Sequence, residues 1–189
     1  MDRLTSLHAT IFAPVERMGD HLIPLLARLV FAATLLRYYW NSAGTKVWDR
    51  KGEEGIFDFF TLESGTYAQM FPKAFEAAGY NTAKLGFVYD LVAYAGTYTE
   101  WLLPLLIVIG LFTRLAALGM IGFVVVQTFV DVTGHGGKPG ILFDTRYELI
   151  DERTLWIFGL AILVIKGAGA LSIDRLLGLN AGPRAVTVV

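Results

Sequence analysis

Four stretches of this chain are long, apolar and almost uncharged, at about residues 22–42, 86–112, 115–132 and 153–171. A helix rises about 1.5 Å per residue, so roughly twenty residues cross the hydrocarbon core of a bilayer. Lipid offers no partner to backbone N–H and C=O groups, so such stretches must be helical. The expected fold is all-α: an integral membrane four-helix bundle with amphipathic interfacial helices, forming a single domain over 1–189. Charged residues make up only 17% of the chain, against about 25% in a soluble domain, and they gather between these stretches.

The pieces between the spans follow from their punctuation. Leu4, Leu7, Ile11, Val15 and Met18 recur at steps of three and four, which predicts an amphipathic helix on the membrane surface, bent or broken near Pro14. Tyr38, Tyr39 and Trp40 end the first span with interface-seeking rings. The connection 43–84 is rich in aromatics but interrupted by Gly65, Pro72 and Gly79. It reads as short helices at the interface or over the bundle mouth. Pro104 kinks the second span, and only Thr113 and Arg114 separate it from the third, which makes those two helices antiparallel neighbours. The connection 133–152 holds the turn-forming run TGHGGKPG, and the tail after Asp174 ends in a poorly ordered AVTVV.

Several chemistries are excluded. The chain has no cysteine, so it cannot shuttle a disulfide, ligate an iron–sulfur cluster or attach haem covalently. Its three histidines, His8, His21 and His135, lie outside the spans and cannot face one another across a haem. GHGGK lacks the spacing of a phosphate loop, and no zinc-type cluster is present, so no metal site is expected. A net charge of −1 gives nucleic acid nothing to bind. Residues 1–21 carry charge throughout and do not read as a cleaved signal. Basic residues divide too evenly between the two sides for the positive-inside rule to orient the bundle.

Ionisable groups within a span cost about 2.5–3.5 kcal/mol on insertion scales, so each needs a partner or a purpose. Glu100 lies mid-span in TYTEW, with Tyr94 and Tyr98 on the same segment. Arg28 is its best-placed cation, through water or Tyr98, although antiparallel side-chain tilt leans the two apart. Arg28, Glu100, Tyr94 and Tyr98 form a candidate intramembrane site, either a structural ion pair or a proton- or quinone-linked one. A second candidate is a polar pocket at the mouth away from the termini: Arg37, Lys46, Asp90, Asp131 and His135, with the acidic loop 144–153 folding over it. Each of these taken alone reads as a charge snorkelling to water. Arg28 and Arg37, nine residues apart, point to opposite faces, and Lys166 snorkels at the end of the fourth span.

Three pieces, RLVFAATLLRYYWNSAGTK, TEWLLPLLIVIGLFTRLAAL and GAGALSIDRLL, resemble in order the motifs of the DoxX family of small membrane proteins. The matching positions are Arg28, Gly44, Lys46, Glu100, Arg114, Ser172 and Asp174. The 47–84 and 133–152 connections depart from the family pattern. The resemblance implies a membrane component of redox systems, with cytoplasmic termini in a bacterial inner membrane. The expected function is an accessory or anchor subunit with no metal or haem of its own, docked to a protein partner through the aromatics of 56–75, or a homo-oligomer. The alternative is a quinone-binding subunit of an oxidoreductase, thiosulfate:quinone oxidoreductase-like, in which a partner carries the electrons. A small transporter or channel is the least favoured, because four tightly connected helices leave little lumen.

Overall fold

The computed structural model describes residues 2–47, 60–142 and 148–179, the side chains at 2–4, 9 and 17 aside. The Leu4 side chain, Phe57, Phe59, residues 144–147 of the acidic loop and the AVTVV tail lie outside them, as do the basic positions Arg50, Lys51, Arg146 and Arg184.

The first helix is far longer than its apolar stretch. It runs as α1 (Asp2–Phe31), a π-helical turn (Ala32–Leu36) and α2 (Arg37–Val47), uninterrupted by Pro14 or Pro24. The amphipathic N-terminal stripe is therefore continuous with the span. Its apolar members Leu7, Ile11, Val15 and Met18 are all exposed. At the other end the helix continues five residues past the expected limit of 42. Asn41, Ser42 and Gly44 read locally as loop residues, yet α2 packs along α5 (Phe87–Ile109), and tertiary contact outweighs their weak propensity.

Two short helices follow, α3 (Ser64–Met70) and α4 (Pro72–Ala77), as the aromatic connection predicts. They fold onto α5 through a small core of Tyr67, Phe75 and Ala93. The Glu63 amide and the Thr66 hydroxyl both donate to the Lys46 carbonyl, at 2.8 and 3.1 Å, tying this cover to the end of α2.

The α5 helix stops three residues before the expected limit of 112. Gly110 adopts a left-handed φ of 71° there, and the Leu111 amide donates back to Leu106 at 2.9 Å. The tight turn is thus 110–112, not 113–114, and Thr113 opens α6 (Thr113–Thr133). A Cβ on Gly110 would lie 2.5 Å from the Ser172 Cβ and 2.8 Å from the Arg28 guanidinium carbon. Gly110→Ala is expected to cost about 1–3 kcal/mol, from backbone strain and crowding together. Chemical unfolding in detergent reads the loss; an unchanged midpoint contradicts it.

The α7 helix (Leu149–Lys166) begins four residues before the expected 153 and ends five before 171, because Gly167 turns the chain out of helix. A short α8 (Ile173–Leu176) closes the described chain. Among the described residues, three helices are long and apolar enough to cross a membrane: Met18–Val47, Phe87–Ile109 and Thr113–Thr133. The α7 helix carries Asp151, Glu152 and Arg153 in its first turns, and its uncharged stretch, 154–165, rises only roughly 18 Å.

The long helices pack in a circuit: α1 and α2 on α5, α5 on α6, α6 on α7, and α7 back on α1. Phe31, Leu35, Tyr39, Met120, Val124 and Leu163 fill the centre. Ala116 and Ala117 let α6 approach its neighbours closely. Large apolar side chains also face outward, among them Val30, Leu102, Leu118, Phe129 and Phe158, while Lys46, Glu100 and Arg153 point in. A water-soluble fold does not leave that much apolar surface uncovered. Lipid contact accounts for it.

Candidate functional site

The buried charges separate into two sites at opposite ends of the helices. At one end, Arg28 reaches across to where α5 terminates. Its guanidinium donates to the carbonyls of Ile107 (2.9 Å), Val108 (2.6 Å), Ala168 (3.0 Å) and Leu171 (2.5 Å). The first two are among the carbonyls that a helix C-terminus leaves unpaired, and a planar fork of five N–H donors suits several at once. Beside it, Asp174 accepts from the amides of Phe112 and Thr113 at 2.7 and 2.9 Å, capping the start of α6. The Ser172 hydroxyl accepts from the Arg175 amide and donates to the Gly169 carbonyl. Arg28, Gly110, Ser172 and Asp174 thus form a knot that fastens the segment 168–176 to the α5–α6 turn. Its charged members are answered by backbone, which leaves little chemistry for a ligand.

The other end is different. Lys46 Nζ lies 2.6 Å from Glu100 Oε2, with both side chains almost fully buried. The same ammonium donates to the Ser42 hydroxyl at 2.8 Å and the Ser42 carbonyl at 3.3 Å. The pair opens onto a cavity of about 310 Å³. Val92, Phe123, Val126 and Val130 give it apolar walls; Tyr38, Gln127, Asp131 and His135 give it polar ones. A Cβ on Gly96 would meet Met70 Cε at 2.8 Å, so glycine lets α3 lie close over the cavity.

The two expected sets of site residues are regrouped. Arg28 and Glu100 are not brought together: Glu100 has Lys46, and Arg28 has carbonyls. The reason is the extra length of the first helix, which carries Lys46 into the interior at the depth of Glu100. Tyr94 donates to the Phe60 carbonyl at 3.1 Å and stacks on Tyr98 at 6.3 Å, and neither ring lines the cavity. Of the mouth residues, Lys46, Asp131 and His135 share the cavity with Glu100. Arg37 is exposed and does not share the cavity. Asp90 accepts from the Tyr67 hydroxyl at 2.5 Å. Burial first, and then Asp90, hold that hydroxyl well above the usual tyrosine range, so it stays a donor. Asp131 is paired with Arg153, whose guanidinium lies 5.8 Å from the Trp156 ring centre. His135 shares a 2.9 Å hydrogen bond with the Gln69 carbonyl. Lys166 pairs with Asp20 at the exposed end of α7.

Three participants, Ser42, Tyr38 and Gln127, escape a reading by charge, and a fourth, Arg153, is not singled out by one. Tyr38 reads as an interface ring and Arg153 as a span boundary. Ser42 stands one helical turn before Lys46, and that spacing was the available signal once the helix was known to continue.

The DoxX family model matches residues 23–134. The chain belongs to the DoxX family. The match covers Arg28, Gly44, Lys46, Glu100 and Arg114, and with them both halves of the buried pair. It stops before Ser172 and Asp174, so the closing part of the knot lies outside it. Comparisons with curated proteins and with solved structures return no match. In this DoxX chain Gly44 is buried in α2 next to Lys46, and Arg114 is exposed at the start of α6.

Proposed function

We propose that this DoxX chain is a membrane subunit that holds a quinone, without a redox centre of its own, in the cavity bounded by Lys46 and Glu100. The observation that carries the reading is the cavity itself. An ion pair buried only for structure gains nothing from a void beside it, because voids forfeit packing contacts. The size falls at the small end of ligand pockets, and apolar walls with a few convergent polar groups suit a ring bearing carbonyl oxygens. Electrons would come from a partner protein. The resemblance points to a redox assembly in a bacterial inner membrane, with cytoplasmic termini.

All four long helices cross the bilayer in this reading. The α7 helix is short of apolar length, but its ends are answered, Arg153 by Asp131 and Lys166 by Asp20. Docking of a partner through the connection aromatics finds less support. Tyr67 and Phe75 are buried against α5 and Phe71 is half-buried beside them, which leaves Phe60 as the exposed ring among the described aromatics of 56–75.

Quinone content after mild-detergent extraction tests the reading. Wild type is expected to co-purify with quinone. The double variant Lys46→Met/Glu100→Leu, which removes the polar floor without leaving a lone charge, is expected to retain less than about a tenth as much, since each tenfold is about 1.4 kcal/mol. Equal content in both, or none in wild type, defeats it.

A further inference from the structure

We propose that Tyr38 is the ligand-orienting residue of this cavity, with its hydroxyl proton directed to an acceptor oxygen of the bound ligand, a ring carbonyl. The inference rests on the quinone reading above and deepens it by fixing which hydrogen-bonding polarity the site offers.

Gln127 sets the polarity of the Tyr38 hydroxyl. Tyr39 is fully buried, and its hydroxyl lies 3.2 Å from Gln127 Oε1. Gln127 Nε2 lies 2.8 Å from the Tyr38 hydroxyl oxygen. An amide can be turned end for end without changing its shape, so the polarity of this chain must come from its surroundings. In the reversed arrangement Tyr39 would accept from the amide, and its own proton would have no acceptor in a dry interior. A buried unsatisfied donor is costly, and turning the amide avoids it. Tyr39 therefore donates to Gln127, and Gln127 donates to Tyr38. The Tyr38 oxygen is an acceptor in that bond, which leaves its proton without an acceptor among the described residues.

That proton sits on a cavity wall, on a residue 43% exposed. The ring is held against Tyr39 at 5.0 Å and Trp156 at 5.6 Å, so the donor is pre-positioned. The neighbouring ammonium offers no alternative. Its three N–H groups are taken by Glu100, the Ser42 hydroxyl and the Ser42 carbonyl. A ligand seated here meets a hydrogen-bond donor at Tyr38 and answers it with a carbonyl oxygen.

Two probes test this on the purified chain in detergent: decylbenzoquinone, and decylbenzene as a ligand of similar shape without oxygens. Tyr38→Phe is expected to weaken decylbenzoquinone about tenfold and leave decylbenzene within about twofold. The infrared carbonyl stretch of the bound quinone, lowered by the hydrogen bond in wild type, should return to its free value. Tyr39→Phe leaves Tyr38 in place but frees Gln127 to turn and accept the Tyr38 proton. A smaller loss of about threefold follows, with a partial shift of the same band. Equal losses for the two probes, or an unmoved carbonyl band in Tyr38→Phe, overturn the proposal, as does a Tyr39→Phe variant identical to wild type. If wild type takes up no decylbenzoquinone, the quinone reading falls first and this one with it. If wild type binds and the Lys46/Glu100 double variant does not, while Tyr38→Phe behaves as wild type, only the Tyr38 assignment is lost.

Discussion

Lys46→Met alone is expected to lower unfolding stability by about 3–5 kcal/mol, because it leaves the Glu100 carboxylate buried without its cation. The pair is 2.6 Å apart and almost closed to solvent, so neither partner can relax into water. Glu100→Leu on the same background should restore most of the loss, since replacing both ions removes the desolvation cost as well as the attraction. Unfolding midpoints in detergent for the two single variants and the double variant complete a thermodynamic cycle. Additive losses, with the double variant as unstable as the sum of the singles, contradict the pairing. A stable double variant that no longer retains quinone is the combination that separates the pair's binding role from its structural one.

Arg28→Leu should be comparably damaging, at about 3–5 kcal/mol, for a different reason. No opposite charge within hydrogen-bond reach is lost. Instead the carbonyls of Ile107, Val108, Ala168 and Leu171 lose a shared charged donor in a place where water does not replace it. Arg28→Lys is expected to recover less than half, because one compact ammonium cannot reproduce a planar fork reaching two segments. Amide exchange offers a specific check: 167–176 should lose protection before the α2–α5 contact does. If Arg28→Leu instead empties the cavity while that segment stays protected, Arg28 belongs to the ligand site after all. Gly110→Ala should produce a weaker form of the same local loosening, since its added carbon meets Ser172 and Arg28.

Arg28 and Lys46 also show where sequence reading reached its limit. Arg28 was legible as an ion that needed an answer, Lys46 only as one of several charges at the mouth, and Glu100 as a carboxylate too deep to reach water. Their partners were not legible. Arg28 is answered by carbonyls, which every residue carries and no side-chain pattern marks. Lys46 lies beyond the apolar stretch of the first span, after residues that favour loops, and only the contact between α2 and α5 keeps that segment helical. Asp131 and His135, grouped with Lys46 by depth alone, line one cavity with it. Arg37 and Asp90, at similar depth, face elsewhere, because depth says nothing about rotation around a helix axis. Tyr38 and Gln127 gave no signal, since their importance lies in a hydrogen-bond polarity that depends on how completely Tyr39 is buried.

The amino-acid order alone determined the solvent of this protein and the helical form of its apolar stretches, because hydrocarbon forces any uncharged stretch of about twenty residues to satisfy its own backbone. It also marked Arg28 and Glu100 as ions that would need an answer inside. Which ion meets which, where each helix stops and what the cavity presents to a ligand were decided only by the packed helices. Those outcomes depend on angular position and on backbone acceptors, and neither is written in the identity of any single residue.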